Sequence, residues 1–258
     1  MNKRNIEPIK ELRNICNKNE KEHWYVRCIM RGISIYPTKL FLKIGISANQ
    51  TTLLSMIIGI IAGVFLAIGE YWYSITGALL FNLWLLFDLV DGQIARYNGT
   101  SSALGSAIDS MNSDICYAIL FVSVGIGVYD SAPTAASVSF LSSVYGILQY
   151  FDPIVFAILG MSASLSKILQ RFFRFKLGML QIQNKLSSEK QKNLPKMDVI
   201  KKIYDWIDIN LFNQIGFLLP LLVMAAVFGI LHLWIIFYGI CLPVMLFLET
   251  TALIRKFL

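Results

Sequence analysis

Apolar runs about twenty residues long recur along the chain, near residues 49–69, 72–96, 102–129, 133–163, 209–231 and 233–256. A helix needs roughly 20 such residues to cross ~30 Å of hydrocarbon. The pattern therefore predicts an all-α polytopic membrane protein with six transmembrane helices. Most connections are tight. Two polar regions are substantial: residues 1–48, ahead of the first span, and a connector at about 164–208 within the 49–258 transmembrane region. The first 48 residues contain Pro8 and Pro37, which predict breaks, and show no short apolar core followed by a small-residue cleavage site.

Amphipathic stretches flank the spans. Residues 29–44 interleave Ile33, Ile35, Leu40, Phe41 and Ile44 with Arg31, Lys39 and Lys43, which predicts an N-terminal helix lying along the cytoplasmic interface. In the connector, Ile168, Phe172, Phe173, Leu177 and Leu180 recur at helical spacing among basic residues, so the fourth helix is expected to extend into the cytoplasm. After Pro195 a second such pattern runs through Ile200, Ile203, Trp206 and Ile207. Packing on the membrane surface accounts for either pattern as well as contact with a substrate does.

Charge then orients the spans. Ten of the 23 lysines and arginines lie in residues 1–48, ten in 164–208, one at Arg96, and two at Arg255 and Lys256. None falls in the alternate turns around Glu70, Asp130 and His232. Cytoplasmic loops retain positive charge during insertion, so six spans with both termini in the cytoplasm fit this parity. The same logic assigns the net charge of +7 to loops and anionic lipid rather than to nucleic acid. Hydrophobic residues make up 56% of the chain and charged ones 15%, which excludes an ordinary soluble domain. Cys16, Cys28, Cys116 and Cys241 lack CxxC spacing, and His23 stands far from His232, so neither a disulfide framework nor a zinc site is expected.

Four carboxylates stand out against this background. Asp88, Asp91, Asp109 and Asp114 lie in or at the edge of the second and third spans. An aspartate at a helix centre costs ~2.5–3.5 kcal/mol on insertion scales. Arg96 is one cation against four acids, so bound divalent metal is the better compensation. Asp88 and Asp91 are three apart and share a helix face. The second span ends where the third begins, which brings Asp109 back to about their depth. Oxygen ligands of this kind suit Mg²⁺ or Mn²⁺, and two such ions can clamp the oxygens of a phosphoryl displacement. Gly92 and Ala95 serve either close helix packing or the approach of a ligand, and Arg96 is a candidate phosphate contact.

The stretch Asp88-Leu-Val-Asp91-Gly92-Gln-Ile-Ala95-Arg96, followed after eight residues by Gly105-Ser-Ala-Ile-Asp109, resembles the signature of the CDP-alcohol phosphatidyltransferases, D-x-x-D-G-x-x-A-R then G-x-x-x-D-x-x-x-D. Seven of its eight fixed positions agree. The stretch from Gly45 to Leu54 is similar to the family's entry into its first span. The resemblance implies a six-helix fold, often a homodimer, whose aspartates hold two divalent metals against the pyrophosphate of a CDP-linked donor, with CMP as leaving group. By the same resemblance Asp88, Asp91 and Asp109 are metal ligands, Gly92 and Ala95 leave room for the cytidine end, Arg96 contacts phosphate, and Gly105 permits close approach. The basic residues Arg31 and Arg171 are candidates to meet an anionic headgroup.

The departure falls on the family's last aspartate, its general base and a further metal ligand. Ser113 occupies that position and Asp114 follows it. On a regular helix Asp114 points ~140° from Asp109, where a four-residue step turns only ~40°. A one-residue π-bulge between them would restore alignment. Asp114 as displaced base and metal ligand, another base or water beside Ser113, and donor binding without efficient turnover are the three readings. A secondary transporter is the rival from another class; Asp152-Pro153 in the fourth span is its further intramembrane acid, and a kink with a satisfied polar residue explains that pair too.

Overall fold

Caps and glycines at the polar turns divide the apolar runs into helices. The computed structural model describes residues 6–16, 25–130, 151–187 and 217–257, and the regular structure among them is entirely helical. In chain order these are α1 (Ile9–Cys16), a π-helical turn (Val26–Met30) leading into α2 (Arg31–Ile44), α3 (Ala48–Ile68), α4 (Tyr71–Tyr97), α5 (Ala103–Asp130), α6 (Ile154–Ser187), α7 (Leu218–Val227) and α8 (Leu231–Phe257). Five are long and apolar enough to cross a membrane: α3, α4, α5, and the segments Ile154–Phe173 of α6 and Leu231–Thr251 of α8. The chain is an integral, multi-pass membrane protein. Of the expected span at 209–231, residues 209–216 lie outside the described residues, and α7 at ten residues covers about 15 Å, half the hydrocarbon thickness.

Three expectations change at prolines. Pro37 does not break the N-terminal segment but sits inside α2, where the Thr38 hydroxyl donates to the Ser34 carbonyl at 2.8 Å and the buried face continues through Ile35, Thr38, Phe41 and Leu42. Pro8 opens α1, its carbonyl accepting from the Leu12 amide at 3.0 Å. Asp152-Pro153 starts a helix rather than kinking one: the Asp152 carboxylate accepts from the Ile154 amide at 3.0 Å, an N-cap with proline in the first helical position. The first part of the expected fourth span and the pattern at 200–207 lie outside the described residues. Downstream, α6 runs unbroken to Ser187, well past the apolar segment.

Helices α3, α4 and α5 form the centre, with α6 against α5, α8 against α6, and α7 against α4. The core is aromatic. Trp84 meets Tyr117 edge-on at 5.1 Å, Phe121 stacks on Trp234 at 5.5 Å, and Tyr238 leans on Trp234 at 4.6 Å. Small residues let backbones approach: a Cβ on Gly160 of α6 would lie 2.6 Å from the Phe121 carbonyl of α5, and one on Gly125 would lie 2.9 Å from the Phe156 carbonyl. α2 buries one face on α4 and leaves Ile33, Tyr36, Leu40 and Ile44 exposed on another, the arrangement of an interfacial helix.

Candidate active site

The turn between α4 and α5 sets the depth of the acidic residues. Gly99 takes a left-handed conformation (φ 63°) just past the end of α4. Ser102 then caps α5, its hydroxyl accepting from the Gly105 amide at 3.0 Å. Asp91 stands six residues before Tyr97, and Asp109 six residues after Ala103, so each lies about 9 Å from the turn along its helix. Asp88 lies one turn deeper on the same face of α4 as Asp91.

These three carboxylates converge, with one oxygen from each within 4.8 Å of the others. Asp91 is buried, and Asp88 and Asp109 are partly so. Three negative charges at that separation repel by about 3 kcal/mol or more per pair at an effective dielectric of ~20. Oxygens on opposite sides of one hard cation are about 4–5 Å apart. The donor set is all oxygen and closes to that span, so the residues present fit a divalent ion of the Mg²⁺ or Mn²⁺ type.

A second layer orients the trio. The Thr52 hydroxyl of α3 donates to Asp91 Oδ2 at 2.5 Å. Asn112 of α5 donates through Nδ2 to Asp88 Oδ1 at 3.3 Å and to the Ser55 hydroxyl at 2.9 Å, and Ser55 donates to the Thr52 carbonyl at 2.7 Å. Thr52, Ser55 and Asn112 are all buried. They escaped the sequence reading, which weighed charge rather than buried hydroxyls and amides. The available signal was Thr52 and Ser55 on one face of an otherwise apolar span, and an amide three residues beyond Asp109.

Above the trio opens a cavity of about 610 Å³, lined by Ser47, Asn49 and Thr52 of the α3 entry, Asp91, Gly92, Ala95 and Arg96 of α4, and Ser102, Gly105, Ser106 and Asp109 of α5. The start of α3 is fixed by a reciprocal cap between Ser47 and Gln50. Arg96 is the basic residue in this lining. Its guanidinium folds over Gly92, so that a Cβ there would meet Arg96 Nη1 at 3.3 Å. The bare backbone at Gly92 thus makes room for Arg96 as well as for a ligand. Gly105 faces the cavity, with only the Ser102 hydroxyl near a Cβ placed on it, at 3.2 Å.

Asp114 does not join the trio. α5 is regular between Asp109 and Asp114, without the bulge that would realign them, and the five-residue step turns Asp114 towards α6. There its carboxylate pairs with Arg171 at 2.7 Å. Ser113 stands one helical turn past Asp109 and is buried. Arg171 accordingly meets Asp114 rather than the cavity, and Arg31 is half-buried near Cys16, outside the cavity lining.

A family model, CDP-alcohol phosphatidyltransferase, matches residues 46–182, more than half of the chain. The chain belongs to this family. The matched region runs from the α3 entry through the trio to α6, so the family's signature and the converging carboxylates are the same residues. The phosphatidylinositol phosphate synthase of Corynebacterium glutamicum is 34% identical to the chain over 83 residues, which covers 32% of this chain and 37% of that protein.

Proposed function

We propose that the chain transfers a substituted phosphate from a CDP-linked alcohol, with CDP-diacylglycerol or a related CDP-lipid as the preferred donor, to a hydroxyl acceptor, releasing CMP in the synthesis of phospholipids or related lipids. The observation that carries this reading is the convergence of Asp88, Asp91 and Asp109 from two helices beneath a cavity edged by Arg96. The positive-inside distribution of lysine and arginine supports an orientation with that cavity and both termini at the cytoplasmic face. A homodimer is part of the proposal through the family alone.

In this reading the three carboxylates hold Mg²⁺ or Mn²⁺, two ions by the family's pattern, which supply charge neutralisation on the pyrophosphate. Thr52 and Asn112 fix the carboxylate planes. Gly92, Ala95 and Gly105 leave room for the nucleotide end, and Arg96 contacts phosphate. The acceptor oxygen attacks the phosphorus on the alcohol side, the bond from that phosphorus to the CMP oxygen breaks, and CMP departs with the electron pair. With Ser113 at the base position and Asp114 held by Arg171, the hydroxyl proton passes to water in the cavity. The test is CMP release by purified protein from a panel of CDP-alcohols and hydroxyl acceptors with Mg²⁺ or Mn²⁺. Release dependent on donor, acceptor and metal supports the reading; CMP binding without release leaves a donor-binding member of the family, and ion-coupled solute movement in vesicles without nucleotide binding favours the transporter.

Two sets of variants refine the roles. Thr52→Val and Asn112→Leu each remove one hydrogen bond to a carboxylate and are expected to weaken Mn²⁺ affinity by about 10–100-fold, measured by Mn²⁺ titration. Asp114→Asn is expected to leave kcat within about threefold of the parent, because its carboxylate faces α6. Loss of a general base costs about 10²–10⁴-fold, so a drop of that size assigns the base to Asp114 instead.

A further inference from the structure

The amino-terminal helix reaches the signature arginine. Three residues on one face of α4, Gln93, Arg96 and Tyr97, are each engaged by α1 or the residues leading into it. Arg96 Nε donates to the Cys16 carbonyl at 2.9 Å, the Cys16 thiol donates to the Gln93 carbonyl at 3.6 Å, and the Tyr97 hydroxyl donates to Glu7 Oε2 at 2.5 Å. Beneath these bonds Leu12 and Cys16, both fully buried, pack with Val90 and Ile94 of α4 and with Ile35, Phe41 and Leu42 of α2. α1 is held at both ends and along its apolar side.

We propose that α1 is a positioning element of the active site: its last carbonyl fixes the Arg96 guanidinium for the anionic end of the ligand in the cavity. The inference rests on the function proposed above. A helix C-terminus presents unsatisfied carbonyls and the negative end of the macrodipole, which favours a cation. Arginine's donors form a rigid planar fork, so a bond at Nε sets the plane in which the terminal nitrogens lie. Those nitrogens sit over Gly92, in the cavity wall. Arg96 therefore presents a fixed fork to phosphate instead of searching rotamers at each binding event.

The Tyr97 hydroxyl holds the Glu7 carboxyl below its ordinary range. A lowered folded value means the carboxylate's contribution is complete above the ordinary value and is lost as pH falls through the lowered one. Burial pushes the Cys16 thiol up, against the pull of Arg96. With its full burial this makes Cys16 a slow nucleophile while α1 is docked.

The test uses the full chain in lipid nanodiscs, with CDP and Mg²⁺ as the binding probe. Alkylation of Cys16 by N-ethylmaleimide, compared with exposed Cys28 by mass spectrometry, reports docking. Cys16 is expected to react at least about tenfold more slowly than Cys28. Leu12→Asp undocks α1, so it is expected to speed that reaction and to weaken CDP binding about tenfold; Tyr97→Phe weakens binding about two- to threefold. In an Arg96→Ala background neither substitution weakens binding further. The proposal is overturned if Leu12→Asp or Tyr97→Phe frees Cys16 while CDP binding holds, if the loss is as large without Arg96, or if Cys16 reacts as fast as Cys28 in the parent. Should Leu12→Asp fail to fold, Tyr97→Phe carries the comparison. Failure of the parent to bind CDP removes the nucleotide reading and this inference together, whereas Arg96→Ala binding it normally removes this inference alone; both show before any α1 variant is compared.

Discussion

Asp91→Asn is expected to lower CMP release by about a thousandfold or more, which corresponds to ~4 kcal/mol of lost transition-state stabilisation. Asp91 is a buried residue, and Thr52 fixes the plane of its carboxylate. The amide keeps the size and still accepts from Thr52, so the change isolates the charge. Stability without metal moves the other way. Removing one of three like charges relieves repulsion, so the thermal midpoint in chelator is expected to hold or rise while the stabilisation gained on adding Mn²⁺ disappears. Asp88→Asn and Asp109→Asn should behave alike. Unfolding of all three variants in chelator would make the trio a structural element rather than a metal site.

Gly160→Val is expected to be strongly damaging although it lies outside the site. A Cβ at Gly160 meets the Phe121 carbonyl at 2.6 Å and Gly125 Cα at 3.0 Å, so the obstacle is backbone that no side-chain rotation clears. α5 and α6 must separate, which costs about 3 kcal/mol and lowers the thermal midpoint by roughly 6–12 °C for a chain of this size. Separation also strains the Asp114–Arg171 pair between the same helices. Gly32→Ala is the control: nothing lies within 4 Å of a Cβ there, and alanine favours a helix over glycine, so the midpoint should not fall. Equal loss in the two variants would show that glycine matters for something other than close backbone approach.

Hydropathy made the spans of α3, α4 and α5 legible to within a residue or two, because burial in lipid requires an unbroken apolar run and polar turns end it sharply. Convergence of Asp88, Asp91 and Asp109 was legible for a related reason: helical spacing and a short turn fix depth and face without knowledge of packing. What pairing across helices decides was not. Asp114 has the same composition-level signal as the other acids, and only the approach of α6 sends it to Arg171. Thr52, Ser55 and Asn112 carry no charge, so only their placement, two hydroxyls on one face of α3 and an amide three residues past Asp109, separates them from hydroxyls and amides that satisfy their own backbone. The docking of α1 on Arg96 and Tyr97 joins residues some eighty to ninety positions apart, and the polar N-terminal region read as a basic segment with proline breaks. Pro37 within α2 shows that side-chain anchoring through Ser34, Thr38 and Gln93 outweighs one missing amide.

Mn²⁺ binding, followed by electron paramagnetic resonance on the protein in nanodiscs with CDP, reads the acidic trio directly and does not depend on knowing the acceptor. The parent is expected to hold Mn²⁺ in a site that CDP tightens and that the Asp88→Asn, Asp91→Asn and Asp109→Asn variants lose. Unchanged Mn²⁺ occupancy in a protein carrying all three substitutions, or no bound Mn²⁺ in the parent, would contradict the account.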